Sequence, residues 1–246
     1  MKMSGNTILI TGGTSGIGHG LAVRLHAAGN TVIIAGRRKD LIDQIVADND
    51  GIDGIVLDVA DAAAITSAAE ALAAGHPELN VLINNAGIMR QENVLDPASL
   101  DTAEATIATN LLGPIRLTSA LLPLLTRNAD PVVMTVTSGL AYVPRPDTIT
   151  YCATKAAIHS YSDSLRVQLA GKVQVIELAP PFTQTPLMGQ EANPMAMPLE
   201  DYLAEVMTLL ETQPDADQIL VERVKRQRFA EANGMYAEVL AAQSGR

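Results

Sequence analysis

Six short runs of aliphatic and β-branched residues recur along the chain, each set off from the next by a longer, Ala/Leu-rich stretch. They are Thr7–Thr11, Thr31–Ala35, Ile55–Val59, Asn80–Ile83, Val132–Val136 and Val173–Leu178. A strand that is apolar on both faces must be covered on both faces, and connections of ten or more residues suit helical crossovers between parallel strands. Right-handed crossovers then give an α/β fold built on a doubly wound parallel sheet. Gly16–Ala28, Lys39–Asn49, Ala62–Ala74, Leu100–Arg127 and Ala153–Ala170 read as the covering helices, the fourth open to a kink at Gly113-Pro114. With 246 residues, 48% hydrophobic and 18% charged, the chain has material for one large core, so residues 1–246 are read as a single domain. Only Pro180–Pro198, with five prolines and three methionines, breaks the rhythm. A structureless stretch of that length inside a compact domain is more often functional than not. A lid over about residues 181–212 is therefore expected, with a plain linker as the alternative. A helix at Leu199–Thr212 and one within Glu222–Ala242 complete the reading.

Seventeen Lys and Arg against 27 Asp and Glu leave a net charge of −10, which repels phosphate backbones and argues against a nucleic-acid partner. Aromatic residues make up 3%, with no Trp, so stacking platforms for single strands are scarce too. The lone Cys152 cannot close an internal disulfide, and the first residues run into a strand with no room for a signal peptide. No uninterrupted apolar stretch reaches the ~18–20 residues that cross a bilayer. A cytoplasmic protein with no membrane partner is the expectation. His19, His26, His76 and His159 fall at no metal-like spacing, so no metal site is expected. Cys152 reads as a small buried hydrophobe. The basic run Arg223–Arg228 reads as a solvated helix face or a contact with an acidic neighbouring subunit.

The first strand ends in Thr11-Gly12-Gly13-Thr14-Ser15-Gly16-Ile17-Gly18. Glycines there let backbone approach a pyrophosphate, while the helix that follows offers free N–H groups and a positive dipole end. After the first strand of an alternating α/β chain, this favours dinucleotide binding over an ordinary turn. At the end of the second strand, Gly36-Arg37-Arg38 lacks the carboxylate that would take the ribose 2′-hydroxyl of NAD. Two guanidiniums instead suit the 2′-phosphate of NADP. The alternative, that they merely open an exposed helix, puts two cations at an unfavourable helix end. NADP(H) is the expected cofactor.

Tyr151 and Lys155 stand four residues apart, hence on one face of a helix. A free phenol has a pKa near ~10, and a neighbouring ammonium favours phenolate and moves that value down. Ser138, thirteen residues earlier, ends the fifth strand at the carboxyl edge, where doubly wound sheets bind ligands. Asn110 sits inside an apolar helical run, where an interior asparagine bonded to backbone is the plain reading.

The glycine turn Thr-Gly-x3-Gly-x-Gly, the run Asn84-Asn85-Ala86-Gly87 and the ordered set Asn110, Ser138, Tyr151 and Lys155 together carry a resemblance. Over roughly residues 6–190 the sequence resembles the short-chain dehydrogenase/reductase family. The resemblance implies a Rossmann-like fold in which Gly12, Thr14, Ser15, Ile17, Arg37, Arg38, Val59, Asn85, Ala86 and Gly87 bind the cofactor. Asp58 is implied to accept from the adenine amino group, with a helix cap near Asp61 as its other reading. Tyr151 and Lys155 are implied at the nicotinamide end, with Lys155 holding ribose hydroxyls and depressing the Tyr151 pKa. Ser138 would orient a substrate carbonyl, Tyr151 would exchange its proton, and Asn110 would anchor a water connected to the lysine.

After the sixth strand the family usually has Pro-Gly, a hydrophobic residue, then Thr two further on; here the segment is Pro180-Pro181-Phe182-Thr183-Gln184-Thr185. Pro181 deletes an N–H beside the expected nicotinamide, Thr183 replaces the hydrophobic residue, and Thr185 remains for the carboxamide or phosphates. This variant is similar to a bacterial subgroup named after an oxidoreductase of a D-alanyl-teichoic-acid operon, a name that defines no substrate. Met89, Leu140, Tyr142, Phe182, Leu187 and Met188 are expected to line an apolar substrate wall without a carboxylate anchor. Arg90 and Arg145 are the alternative contacts for an acidic group. The expected activity is NADP(H)-dependent interconversion of a ketone or aldehyde with an alcohol. Reduction of a 3-oxoacyl carrier protein and a catalytically quiet cofactor-binding regulator are the competing readings. A homodimer or homotetramer is expected from the family.

Overall fold

The structure, a computed structural model, describes residues 1–189 and 191–244. Its strands are β1 (Thr7–Thr11), β2 (Thr31–Gly36), β3 (Ile52–Val56), β4 (Val81–Asn84), β5 (Val132–Val136), β6 (Gln174–Leu178) and β7 (Gln218–Ile219). They form one seven-stranded sheet in the order β3-β2-β1-β4-β5-β6-β7, with every neighbouring pair parallel. The chain reverses direction across the sheet between β1 and β4, so the loops leaving those two strands diverge and open a crevice at their carboxyl ends.

Side-chain alternation along β1 assigns its residues to two cores. Ile8 and Ile10 face α1 (Gly16–Ala27), α2 (Lys39–Asp48) and α7 (Leu199–Thr212), meeting Leu21, Leu25, Ile42, Leu203 and Val206. Leu9 faces α3 (Ala62–Gly75), α5 (Gly113–Leu125) and α6 (Ile149–Gln168), meeting Ile65, Leu72, Leu117, Leu121 and Leu165. All three β1 side chains are fully buried, each worth about 2 kcal/mol relative to exposure. A small third cluster, Val143, Ala230 and Val239, seats the C-terminal helices α8 (Lys225–Arg228) and α9 (Tyr236–Gln243).

Several expectations shift. The third strand is Ile52–Val56, not Ile55–Val59, so Asp58 and Val59 follow the strand rather than close it. It is an edge strand, with Asp53, Gly54 and Val56 exposed, and needs no continuous apolar run. The two-residue β7 was too short to register as a run. The expected single helix Leu100–Arg127 is α4 (Ser99–Ile107), a π-helical turn Ala108–Leu112, and α5. Pro114 cannot supply the α-helical hydrogen bond to the Asn110 carbonyl, and the wider turn accommodates that loss. Ser99–Leu125 as a whole is long and apolar enough to cross a membrane. Leu117, Leu121 and Leu125 nevertheless pack wholly inside the second core. The helix α6 begins at Ile149, four residues earlier than expected, and so contains Tyr151. The expected C-terminal helix is instead a 3-10 turn, Glu222–Val224, followed by α8 and α9.

The lid expected over 181–212 divides in two, with Gln190 outside the described residues. Phe182 and Gln184 pair with Met197, giving 2.8 Å bonds from Met197 N to the Phe182 carbonyl and from Gln184 N to the Met197 carbonyl. Beyond Pro198, α7 is a core helix, with Tyr202, Leu203, Val206 and Leu210 buried. Gly20 on α1 leaves room for it, since a Cβ there would lie 2.2 Å from Leu203 Cδ1.

Candidate active site

A cavity of about 1510 Å³ opens at the carboxyl edge of the sheet, lined from Arg37 and Arg38 at one end to Tyr151 and Lys155 at the other. The glycine turn forms its floor. Gly12 and Gly16 adopt φ of +66° and +53°, which disfavour any other residue. A Cβ on Gly12 would stand 2.9 Å from Ala86 Cα, and one on Gly18 2.3 Å from the Gly12 carbonyl oxygen. The Ser15 side chain makes no capping bond, which leaves it out of satisfying the first-turn N–H groups of α1. Thr11 ties this turn to the next strand: its hydroxyl accepts from the N–H groups of Asn85 and Ala86, at 3.0 Å each. Asn85 returns the contact, its amide donating to the Thr11 and Gly12 carbonyls at 2.9 and 3.2 Å. Sequence reasoning had assigned Thr11 no part in this clamp.

Gly12, Thr14, Ser15, Ile17, Arg37, Arg38, Asp58, Val59, Asn85, Ala86 and Gly87 all line the cavity. Arg38 donates to Thr14 Oγ1 at 3.0 Å and Ser15 Oγ at 3.1 Å, which draws its guanidinium over the turn. Asp61, not Asp58, caps α3, accepting from Ala63 and Ala64. Asp58 accepts locally from the Ala60 N–H at 2.9 Å. Pro181, Thr183 and Thr185 line the far side, where Thr183 donates to the Pro181 carbonyl at 2.9 Å and Thr185 packs against Gly16.

Ser138, Tyr151 and Lys155 converge on one wall, each nearly buried. Ser138 caps the 3-10 turn Gly139–Ala141, its Oγ accepting from Leu140 N at 3.1 Å. Lys155 donates a 2.7 Å bond to the Val136 carbonyl. Burial pushes Tyr151 up to about 12, partly countered by the neighbouring Ser138 hydroxyl, and pushes Lys155 down to about 8. The expected depression of the Tyr151 pKa by Lys155 is therefore not what this geometry gives. Loss of hydration dominates, and the ammonium is turned to a main-chain oxygen. Asn110 stands behind this wall, exchanging two 2.8 Å bonds with the main chain of Ile88. It does not line the cavity, but it holds the strand-four loop in place beside Gly87.

On the substrate side, Met89, Leu140, Phe182 and Leu187 line the cavity, whereas Tyr142 and Met188 do not. Tyr142 turns away to donate to Glu177 at 2.9 Å, because its buried hydroxyl needs a partner. Met188 adopts φ of +61° in a turn outside the lining. The wall is also less apolar than expected, since Glu92, Arg145 and Asp147 line it. Glu92 caps the start of α6, accepting from Thr150 N at 3.0 Å and Thr150 Oγ1 at 2.6 Å. Arg145 is paired with Asp147. The C-terminal segment supplies another wall that sequence reasoning missed. Arg223 and Arg226, read as solvated or intersubunit, line the cavity with Gln227 and Gln243. Gln227 touches the Ser138 turn: a Cβ on Gly139 would lie 2.1 Å from its Oε1. Cys152 is buried, its sulfur accepting from Arg145 N at 3.3 Å.

A glycine cradle at the switch point of a doubly wound sheet, facing a Tyr-Lys pair across one crevice, defines an oxidoreductase of the dinucleotide-binding type. The chain belongs to the short-chain dehydrogenase family, whose model matches residues 6–196. It is 41% identical over 191 residues to the uncharacterized oxidoreductase DltE of Bacillus subtilis (strain 168), covering 76% of this chain and 75% of that one. The fold matches a short-chain dehydrogenase from Burkholderia cenocepacia J2315 in complex with NADP, with a TM-score of 0.82, 24% identity and coverage of 99% and 98%. It also matches the closed form of a serine dehydrogenase complexed with NADP+, with a TM-score of 0.78, 27% identity and coverage of 87% and 93%.

Proposed function

We propose that the protein is an NADP(H)-dependent oxidoreductase that interconverts a ketone or aldehyde with the corresponding alcohol. The observation that carries this reading is one continuous cavity with Arg37 and Arg38 at one end and Ser138, Tyr151 and Lys155 at the other. Two positive-φ glycines and the uncapped start of α1 form a cradle that fits a pyrophosphate, and a side chain on Gly12 would fill it. The serine dehydrogenase neighbour with NADP+ bound supports the same cofactor. When bound, NADP(H) supplies or accepts the hydride.

The chain's own residues do the rest. Ser138 holds the carbonyl oxygen by its hydroxyl. Tyr151, kept protonated at neutral pH by burial, gives its proton to that oxygen in reduction and takes it back in oxidation. Lys155, on the cavity wall beside Tyr151, would hold the ribose side of the nicotinamide. Asn110 fixes the Ile88 backbone, and with it the loop that bears Gly87, beside the Lys155 ammonium. Phe182 and Leu187, both exposed, give the substrate side an apolar rim, while Glu92, Arg145 and Asp147 favour a substrate with polar groups. Membership of the short-chain dehydrogenase family supports a homodimer or homotetramer.

The test is a panel of ketones, aldehydes and secondary alcohols, assayed with NADPH and NADP+ and then with NADH and NAD+. Turnover of a carbonyl compound with NADPH is expected. Normal NADPH affinity without turnover across the panel would establish the cofactor-binding regulator instead.

A further inference from the structure

We propose that Glu177 is a positioning residue that fixes the Ser138 turn against the helix bearing Tyr151 and Lys155. The inference rests on the reading of Ser138 and Tyr151 as reacting groups. Glu177 lies in β6 between Ile176 and Leu178, and its carboxylate is wholly buried. A charge placed there is tolerated only if its lone pairs are filled, and four donors fill them. Oε1 accepts from Thr137 Oγ1 at 2.7 Å and from Tyr142 OH at 2.9 Å. These two residues flank the turn that begins at Ser138, so one oxygen grips it at both ends. Oε2 accepts from His159 Nδ1 at 2.8 Å and Gln218 Nε2 at 2.6 Å.

His159 follows Lys155 by four residues on α6, as Lys155 follows Tyr151. One carboxylate therefore joins the serine turn through Oε1 to the tyrosine helix through Oε2. Thr137 and His159 do not bond to each other; beside the Lys155 bond to the Val136 carbonyl and the edge-on Tyr142–His159 ring contact at 5.0 Å, Glu177 adds the link that hydrogen-bonds both halves at once. Gln218 extends the link to the C-terminal wall: its Oε1 accepts from Arg228 Nε at 3.0 Å, and that guanidinium stacks 4.9 Å from the Tyr142 ring centroid. His159, Asp163 and Glu177 also lie close enough to suggest a metal ligand set. Both Glu177 oxygens are already occupied by protein donors, which makes this carboxylate a hydrogen-bond hub.

The experiment reads the ionisation of Tyr151 from tyrosinate absorbance, assigned as the component lost in Tyr151→Phe. The groups facing that phenol are Ser138, Lys155 and Cys152. Glu177→Gln keeps the shape but presents an amide N–H₂ to donors, so one link must break. The Tyr151 midpoint is expected to rise, with kcat falling about tenfold to a hundredfold at unchanged NADPH affinity. In a Ser138→Ala background, Glu177→Gln should shift the midpoint no further. Equal shifts in the two backgrounds, or no shift in either, would overturn the proposal. Should Glu177→Gln fail to fold, Tyr142→Phe carries the same cycle by cutting a single link. The catalytic reading fails separately, if Tyr151→Phe retains turnover.

Discussion

The Lys155 ammonium lies 5.5 Å from the centroid of the Tyr151 ring and gives its hydrogen bond to the Val136 carbonyl, not to the phenol. Both groups are deprived of water, which holds Tyr151 at about 12 and Lys155 at about 8. Near neutrality the phenol is thus protonated while Lys155 still carries its charge, and two measurable consequences follow.

Tyr151→Phe should abolish turnover while NADPH affinity, read by fluorescence titration, changes little. The phenol contributes a transferable proton and little else to cofactor binding. Residual activity above a few per cent of wild type would show that another group carries the proton.

Cofactor affinity should weaken as the pH rises through about 8, where Lys155 loses the charge that holds the ribose side. Lys155→Met should bind NADPH weakly at every pH and lose this dependence. A flat wild-type titration across the same range would remove Lys155 from the binding site.

Arg37→Ala and Arg38→Ala should each weaken NADPH binding tenfold or more while leaving NADH nearly unaffected. A charge-assisted bond to a phosphate is worth about 1.5–3 kcal/mol, and about 1.4 kcal/mol is tenfold in affinity. Equal losses for both cofactors would mean that the arginines only support the glycine turn, which Arg38 already touches through Thr14 and Ser15.

Stability should fall in acid because of Glu177. Burial by itself would raise its pKa, but the bonds from His159, Thr137 and Gln218 outweigh that and hold it near 2, against 4.5 for a free carboxyl. A depressed folded-state pKa gives stabilisation that is complete above about 4.5 and lost as the pH falls toward 2, on the order of 3 kcal/mol. His159 is raised mainly by the same bond, so its share is present below its ordinary value and lost as the pH rises through the raised one. These are two ends of one contact and do not add. Denaturant titrations of wild type and Glu177→Gln at pH 3 and pH 6 should show the pH difference shrinking in the variant.

Leu203→Ala should cost about 2–5 kcal/mol by opening a cavity between α7 and α1. NADPH affinity of the folded fraction should hold. A variant with wild-type melting temperature would restore α7 to the lid that the proline-rich stretch suggested.

The sheet and the glycine cradle were legible because each depends on local pattern. Thr7–Thr11 and Val132–Val136 have the strand bounds read from their apolar runs, since central parallel strands need apolar side chains on both faces. Glycines at 12, 16 and 18 are visible because close backbone approach leaves few other choices. Edge strands escape this logic, which is why β3 was displaced and β7 overlooked. Tyr142 was misplaced for a related reason: sequence proximity to Ser138 puts it near the site but says nothing of which way its hydroxyl turns.

What the sequence determined by itself was the fold and the glycine cradle, set by short-range periodicity and spacing, and the order of Asn110, Ser138, Tyr151 and Lys155, which the family resemblance picked out. Only the tertiary structure decided that Arg223, Arg226 and Gln227 wall the cavity, and that burial, not the lysine, governs the Tyr151 phenol. It alone showed that one carboxylate in β6 gathers Thr137, Tyr142, His159 and Gln218. Solvation and long-range hydrogen bonding depend on which distant segments meet, and no local window of residues contains that information.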